Sequence, residues 1–286
     1  MLVVDKEAGW TSHDVVARCR KLLGERRVGH AGTLDPDATG VLLVGVGRFT
    51  RMLRFLSAAT KSYEGEVVLG TATDTLDASG EVTATWDMSH VTLEDVRKAA
   101  ASLRGVILQV PPMVSALKVG GRRLHDLARS GVEVERAPRQ VTVDRFDVDP
   151  TDSSGVFRIS VDCSSGTYVR SLAADLGVEL GGGAHLRNLR RTRVGSFVLS
   201  DARRLDEVSA TSLLTPAQAM RDLTRVEVDA EVSGLVRHGL PLDKIALGAT
   251  GEGPWALLDQ SDRLLAVYEP TDTDRIVAAC VLASVG

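Results

Sequence analysis

The chain has 286 residues, of which 44% are hydrophobic and 25% charged, with a formal net charge of −4. That length exceeds the usual single domain, and the composition is that of an ordinary globular protein and excludes a disordered, collagenous or disulfide-stapled chain. No apolar run approaches the length of a membrane span, the start has no signal-peptide core, and Cys19, Cys163 and Cys280 are too scattered for a disulfide framework or a zinc site, so a cytoplasmic location is expected.

Residues 2–4 predict a short strand. Thr11, Ser12 and Asp14 offer capping oxygens before Val15, Val16, Cys19, Leu22 and Leu23, with Gly24 behind them, a pattern for a helix of about three turns. Residues 27–47, RVGHAGTLDPDATGVLLVGVG, then combine five glycines, a histidine and an aspartate locked against a proline. A residue before proline is pushed out of the helical region, so Asp35 is expected on a turn, its carboxylate aimed by the backbone. Gly29, Gly32 and Gly40 permit backbone shapes or close approaches closed to other residues. Asp-Pro beside glycine is also a common turn, so this segment alone does not separate a catalytic group from a corner. Residues 41–46 are continuously apolar, which suits a strand buried on both faces.

Residues 48–58 read as a helix with Met52, Leu53 and Leu56 inward and Arg48, Arg51 and Arg54 outward. Residues 61–69 alternate and, with residues 81–86, predict a hairpin around 70–80. Tyr63 lies in its first strand, where packing is the ordinary role of a tyrosine. Thr92 and Asp95 cap a helix through Val96, Ala100 and Leu103, ended by Gly105. Residues 110–131 mix a Pro-Pro break, a short strand, a Gly-Gly turn and a basic helix, an excursion from the core that could close over a polymer and extends to about residue 139.

Residues 141–148 and 156–163 alternate as strands. Residues 166–170 turn into a helix carrying Leu172, Leu176 and Leu180. Arg170 stands near the start of that helix, where the dipole disfavours a cation, so it asks for a carboxylate; Asp35 is a candidate. A basic run at 185–191 leads to a strand at 194–199. Residues 200–224 read as polar and helical, and residues 225–286 as a β-rich appendix with strands at 255–258, 264–268 and 276–282. The expected fold class is α/β (α+β): a mixed, largely antiparallel sheet flanked by helices over residues 1–224, with the insertion at about 110–139, then a small β-rich domain over 225–286.

The charge is partitioned along the chain. Residues 205–286 hold 6 Lys and Arg against 13 Asp and Glu, whereas residues 15–54 hold 8 against 3 and residues 185–204 hold 6 against 1. Two basic clusters flanking a folded core can bind phosphate on a protein of negative overall charge; a solvated basic face is the alternative.

Five blocks occur in a telling order: VVDKEAGWTSHDVV at 3–16, HAGTLDPDATGVLLV at 30–44, KSYEGEVVLGTATDTLDASG at 61–80, SALKVGGRRLHDLARSG at 115–131 and SSGTYVRSLAADLGVELGGGAHLRNLRR at 164–191. Together they resemble the bacterial TruB family of tRNA pseudouridine synthases across residues 1–204. Behind them the tail resembles, chiefly by position, the PUA-like RNA-binding domain of that family. Glu7 departs from the family's usual proline after Asp-Lys.

The resemblance implies an isomerase that turns uridine 55 of the tRNA T arm into pseudouridine by detaching the base from ribose carbon 1′ and rejoining it through carbon 5. It implies Asp35 as the catalytic aspartate, Tyr63 as the aromatic beside the base, Arg170 as the cation paired with the aspartate, and Tyr168 and Leu189 as parts of the base pocket. His30 matches the histidine that helps displace the target nucleotide, and Lys61 and Gly32 join the substrate-binding set. It implies tRNA as the partner. The chemistry calls for no cofactor and no metal, no membrane is expected, and a monomer without an obligatory protein partner is the expectation, although the sequence leaves the oligomeric state open.

The residue types suit that chemistry. A uracil must leave its stack to be reached, so aromatic and apolar contacts should offset the unstacking, and an ionised carboxylate beside the sugar can act as nucleophile or base. A cationic partner favours the ionised form. His13, His125 and His185 do not form a ligand spacing with His30. A glycosidase would usually need a second carboxyl, for which Asp37 is the one at hand. A pure RNA-binding module would leave Asp35 as a turn.

Overall fold

The computed structural model describes residues 1–115, 118–119, 122–123 and 134–282. The chain opens with β1 (Leu2–Lys6) and α1 (Ser12–Leu23), where Thr11 and Asp14 form a capping box and Gly24 closes the helix at φ 63°. A hairpin of β2 (Val28–Ala31) and β3 (Thr39–Val46) follows, so the glycine-containing stretch before Asp35 places His30 on a strand. Four residues that include a glycine carry too little alternation to read as a strand. The arginine-rich segment divides into a 3-10 stretch, Gly47–Met52, and α2 (Leu53–Ser57), with the expected residues inward.

The hairpin expected between residues 61–69 and 81–86 does not form. Both edges of β4 (Lys61–Leu69) are occupied by strands from much later in the chain, and β5 (Thr71–Thr73) pairs instead with β6 (Val82–Thr85). Next come α3 (Leu93–Ser102), begun by the Thr92–Asp95 capping box, and β7 (Gly105–Gln109). Within the insertion, β8 (Lys118–Val119) pairs antiparallel with β9 (Arg122–Arg123); the basic helix expected after them lies outside the described residues.

β10 (Arg139–Pro150) and β11 (Val156–Cys163) pair as an antiparallel ladder, followed by α4 (Val169–Glu179). The basic run is itself a strand, β12 (Ala184–Val194). The strand expected at 194–199 is only its end, a turn, and β13 (Phe197–Val198). Arginines hid the strand because their partners lie across the sheet. Residues 200–224 are not a polar helix: they hold 3-10 turns, β14 (Arg203–Arg204) and the single turn α5 (Pro216–Ala219).

The first sheet has ten strands and runs β14-β1-β3-β12-β4-β11-β10-β7, with β2 beside β3 and β13 beside β12. It is mixed and largely antiparallel, since only the β1–β14 and β3–β12 pairs are parallel. Alternation along β1 and β3 sends Leu2, Val4, Leu42 and Val44 into a core shared with α1, α3 and α4. Val3, Val41 and Leu43 go to the opposite face, where Phe49, Met52 and Leu56 meet Ala256, Leu258, Leu264 and Val267. Both faces of β3 are therefore covered, the physical reason for its unbroken apolar run.

Those last residues belong to a second, five-stranded sheet of β15 (Thr224–Val228), β16 (Leu242–Asp243), β17 (Trp255–Asp259), β18 (Leu264–Pro270) and β19 (Arg275–Val281), ordered β15-β17-β18-β19-β16. It carries one helix that the sequence reading did not anticipate, α6 (Ala230–Arg237). Arg54 ties α2 to this second sheet, its Nη2 donating to the Ala279 carbonyl at 3.1 Å. Among the described residues no helix is long and apolar enough to cross a membrane.

Candidate active site

Asp35 sits in the loop between β2 and β3, and buried polar side chains hold that loop. Ser12 Oγ, on α1, donates to the Leu34 carbonyl at 3.2 Å and accepts from the Leu34 N–H at 2.9 Å. Lys6 Nζ, at the end of β1, donates to the carbonyls of Trp10 (2.6 Å), Pro36 (2.7 Å) and Glu7 (3.0 Å). Burial lowers the Lys6 pKa to about 8, but three carbonyl oxygens match its three donors. Arg191, 1% exposed, donates from Nε to Val41 O at 2.7 Å and from Nη2 to Gly32 O at 3.0 Å. Gly40 lets β3 approach β12 closely: at φ 101°, a Cβ there would overlap the Arg191 carbonyl oxygen.

The loop brings Asp35 edge to edge with Arg170. Arg170 Nε lies 2.9 Å from Asp35 Oδ2, and Nη2 donates to Oδ1 at 3.1 Å. Nη1 donates to Thr75 O at 2.8 Å, Nη2 also reaches Val114 O at 2.7 Å, and Asp77 Oδ2 stands 3.5 Å from Nη1. Two carboxylates thus offset the unfavourable position of Arg170 at the second residue of α4. Asp77 is held in turn by the Thr75 hydroxyl at 2.7 Å and by the Ser79 N–H at 3.1 Å.

The arginine side chain is 5% exposed and that of the aspartate 40%, so the carboxylate faces open space. Burial raises the Asp35 pKa, Arg170 opposes the rise, and nearby Asp77 reinforces it. The cation acts in the expected direction, but desolvation is the larger effect.

That open space is a cleft of about 350 Å³, walled by Asp35, Lys61, Tyr63, Tyr168, Arg170 and Leu189. Tyr63, on β4, is 7% exposed, and burial raises its pKa while a hydrogen bond with Arg191 acts against the rise. Lys61 turns its ammonium away, donating to Ser57 O at 3.0 Å and Ala59 O at 2.7 Å, and burial lowers its pKa to about 8. Its stem and Gly32 complete one wall. His30 is not among the lining residues; its ring stands edge-on to His13, centroids 5.3 Å apart.

Leu189 reaches the cleft through a defect in β12. The register against β4 shifts between Arg187 and Arg190, and Asn188 adopts φ 54°. A bulge of this kind bends the strand and re-aims a side chain. Glu66 pins it from β4: one carboxylate oxygen accepts from Arg187 Nε at 2.6 Å and from Asn188 Nδ2 at 3.0 Å.

The second basic cluster is largely ion-paired at a partly exposed surface. Arg187, Arg190, Arg193 and Arg204 pair with Glu66, Asp5, Asp162 and Glu7, and Arg191 is buried. In the first cluster Arg18, Lys21, Arg26, Arg27 and Arg48 remain exposed. Sequence reasoning missed Lys6, Ser12, Asp77 and Arg191 as site residues. A lysine ending an apolar strand was a signal for Lys6, whereas the other three carry none apart from their place in the fold.

The family description "TruB family pseudouridylate synthase (N terminal domain)" matches residues 20–169, and "tRNA pseudouridylate synthase B C-terminal domain" matches residues 170–242. The tRNA pseudouridine synthase B of Rhodococcus jostii (strain RHA1) is 50% identical over 276 residues, covering 94% of this chain and 89% of that protein. That of Mycobacteroides abscessus is 48% identical over 279 residues, covering 93% and 91%. Among solved structures, a chain of a Cbf5-Nop10-Gar1 complex superposes with a TM-score of 0.74 at 26% identity, covering 99% of this chain and 83% of that one. A chain of an H/ACA RNP bound to a substrate RNA containing 2'-deoxyuridine gives 0.71 at 23% identity, covering 99% and 84%, a likeness of fold alone.

Proposed function

The chain belongs to the TruB family of tRNA pseudouridine synthases, isomerases that convert uridine in tRNA to pseudouridine, and from that premise we propose that its target is uridine 55 of the T arm and that Asp35 carries the chemistry. The observation that carries this reading is the edge-to-edge pair of Asp35 and Arg170, opening onto a cleft walled by two tyrosines and a leucine.

The target nucleotide leaves its stack and enters the cleft, where the Tyr63 ring and Leu189 offset the lost stacking and Tyr168 closes a further wall. Arg170 holds the Asp35 carboxylate in one orientation and favours its ionised form. The base separates from carbon 1′ as the bond to N1 breaks, turns within the closed site, and rejoins through carbon 5. Carbon 5 then loses its proton and N1 gains one. Atoms and electrons balance without a redox partner, water or metal, so the chain needs no cofactor for this step. Asp35 can act at carbon 1′, at the ring or at the carbon 2′ proton, since each route uses an ionised carboxylate.

His30, Gly32 and Lys61 support substrate binding in this reading: His30 beside the displaced nucleotide, the other two as cleft wall. Residues 1–224 form the catalytic domain, the insertion at about 110–139 clamps RNA, and 225–286 form a PUA-like RNA-binding domain. The enzyme works as a cytoplasmic monomer.

The test is release of tritium from carbon-5-labelled uridine in transcribed tRNA. Asp35→Asn should release none while still binding tRNA, because binding rests mainly on cations facing phosphate. Wild-type enzyme should release none from a transcript with cytidine at position 55 and label in its other uridines. Wild-type-like release by Asp35→Asn would sink the assignment of the carboxylate.

A further inference from the structure

Gln109 ends β7 and is 2% exposed, and its carboxamide is engaged by the backbone N–H and carbonyl of one residue 59 positions away. Oε1 accepts from the Tyr168 N–H at 2.7 Å, and Nε2 donates to the Tyr168 carbonyl at 3.1 Å. Tyr168 is the extended N-cap of α4, at φ −104° and ψ 107°, and makes no side-chain cap of its own. Its carbonyl also accepts from Leu172 N at 3.1 Å, so the bond that lacks an alternative is the one from its N–H to Gln109. Gln109 is the buried partner, and leaving its carboxamide unpaired is costly, so this pair specifies how α4 begins.

The neighbouring residues reinforce the same joint. Ser171 Oγ donates to Val110 O at 3.1 Å, and Arg170 Nη2 donates to Val114 O at 2.7 Å. The first turn of α4 is thereby tied to residues 109–114, and Arg170 Nη2 bonds both that segment and Asp35. A small rotation of that turn would carry the Arg170 guanidinium off the carboxylate edge and the Tyr168 ring out of the cleft wall.

We propose that Gln109 is a positioning residue for the isomerisation: through the Tyr168 backbone it sets the start of α4 so that Arg170 meets Asp35 with two nitrogens. It touches no substrate. The proposal rests on the reading of Asp35 and Arg170 given above.

The test compares Gln109→Leu, which removes both bonds, with Gln109→Glu, which keeps an acceptor for the Tyr168 N–H. Single-turnover tritium release is measured across pH, with KM for tRNA and the melting temperature of each variant. Gln109→Leu should lose turnover on the order of 10²-fold, with KM within about threefold of wild type. Its acid limb should move to higher pH, because Arg170 lowers the Asp35 pKa and would do so less well. Gln109→Glu should stay within about tenfold of wild type, with its acid limb unmoved.

A leucine variant with wild-type turnover and acid limb but a lower melting temperature would overturn the proposal, leaving a purely structural role. Equal losses in both variants would overturn it too. Should the leucine variant not fold, Gln109→Asn, one methylene too short to reach the Tyr168 N–H and carbonyl, is read by the same two criteria. Turnover by Asp35→Asn would sink the catalytic reading itself, a result separate from any obtained with the Gln109 variants.

Discussion

Arg170 meets Asp35 with Nε at 2.9 Å from one carboxylate oxygen and Nη2 at 3.1 Å from the other, while its remaining nitrogen turns to Thr75 and Asp77. The cation is buried and the carboxylate is open on its far side, so the pair aims an anion at the cleft without covering it. A planar fork can do this; a single ammonium cannot.

Arg170→Lys therefore keeps the charge and loses the geometry. Turnover should fall on the order of 10²-fold, about 2.7 kcal/mol of transition-state stabilisation, with tRNA affinity changed by no more than about threefold. Single-turnover assays and filter binding measure the two quantities. Wild-type rates would mean that charge alone suffices.

On the proposed role of Asp35, the acid limb of the pH–rate profile should report its carboxylate. Burial raises its pKa above the ordinary 3.8, and if the ionised form is the working one, activity should be lost as pH falls through that raised value. Arg170 opposes the rise, so in Arg170→Lys the limb should lie at still higher pH. A limb at or below the value of a free aspartate would contradict the proposed role of the carboxylate.

Tyr63 is both packed and at the site, so alanine confuses the two roles. Removing a buried ring costs about 3–5 kcal/mol of stability, whereas phenylalanine keeps the ring and forfeits about 1 kcal/mol for the lost hydroxyl contact. Tyr63→Phe should melt within about 5 °C of wild type yet turn over at least about tenfold more slowly. Unchanged turnover in a stable Tyr63→Phe would assign the hydroxyl to packing.

The bulge in β12 predicts an unusual order of tolerance at Asn188. Glycine adopts φ 54° freely, while a β-branched residue there is strained by about 1–2 kcal/mol. Asn188→Gly should keep turnover within about fivefold of wild type, and Asn188→Val should lose more as the strand straightens and Leu189 withdraws. The comparison is made by single-turnover rates at saturating tRNA, and a valine variant as active as the glycine one would remove the bulge from the account.

Gly40 and Gly105 separate strain from collision. Both have positive φ, but a Cβ at 105 meets open space while one at 40 meets the backbone of Arg191. Gly105→Ala should cost about 1 kcal/mol and Gly40→Ala at least about 3 kcal/mol, read by urea unfolding. Equal costs would show that the β3–β12 approach is adaptable.

Local features were legible in the sequence because local physics decides them. Thr11 with Asp14 and Thr92 with Asp95 announce helix starts, Gly24 announces an end, and the unbroken apolar run of β3 announces burial on two faces. Asp35 before Pro36 announced an aimed carboxylate, and Arg170 at a helix start announced the need for an anion. The ordered blocks added the family and its isomerisation.

What only the tertiary structure decided is which residues meet. Strand pairing is a long-range choice, so the partners of β4 could not be read from its own alternation. The arginines of β12 looked like a phosphate surface until Asp5, Glu66 and Asp162 arrived beside them from distant segments. Lys6, Ser12 and Arg191 act by bonding backbone carbonyls and amides of a loop that lies next to them only after folding. A carbonyl carries no signature in the sequence, and the residues that bind it show their purpose only when burial removes water as the competing partner.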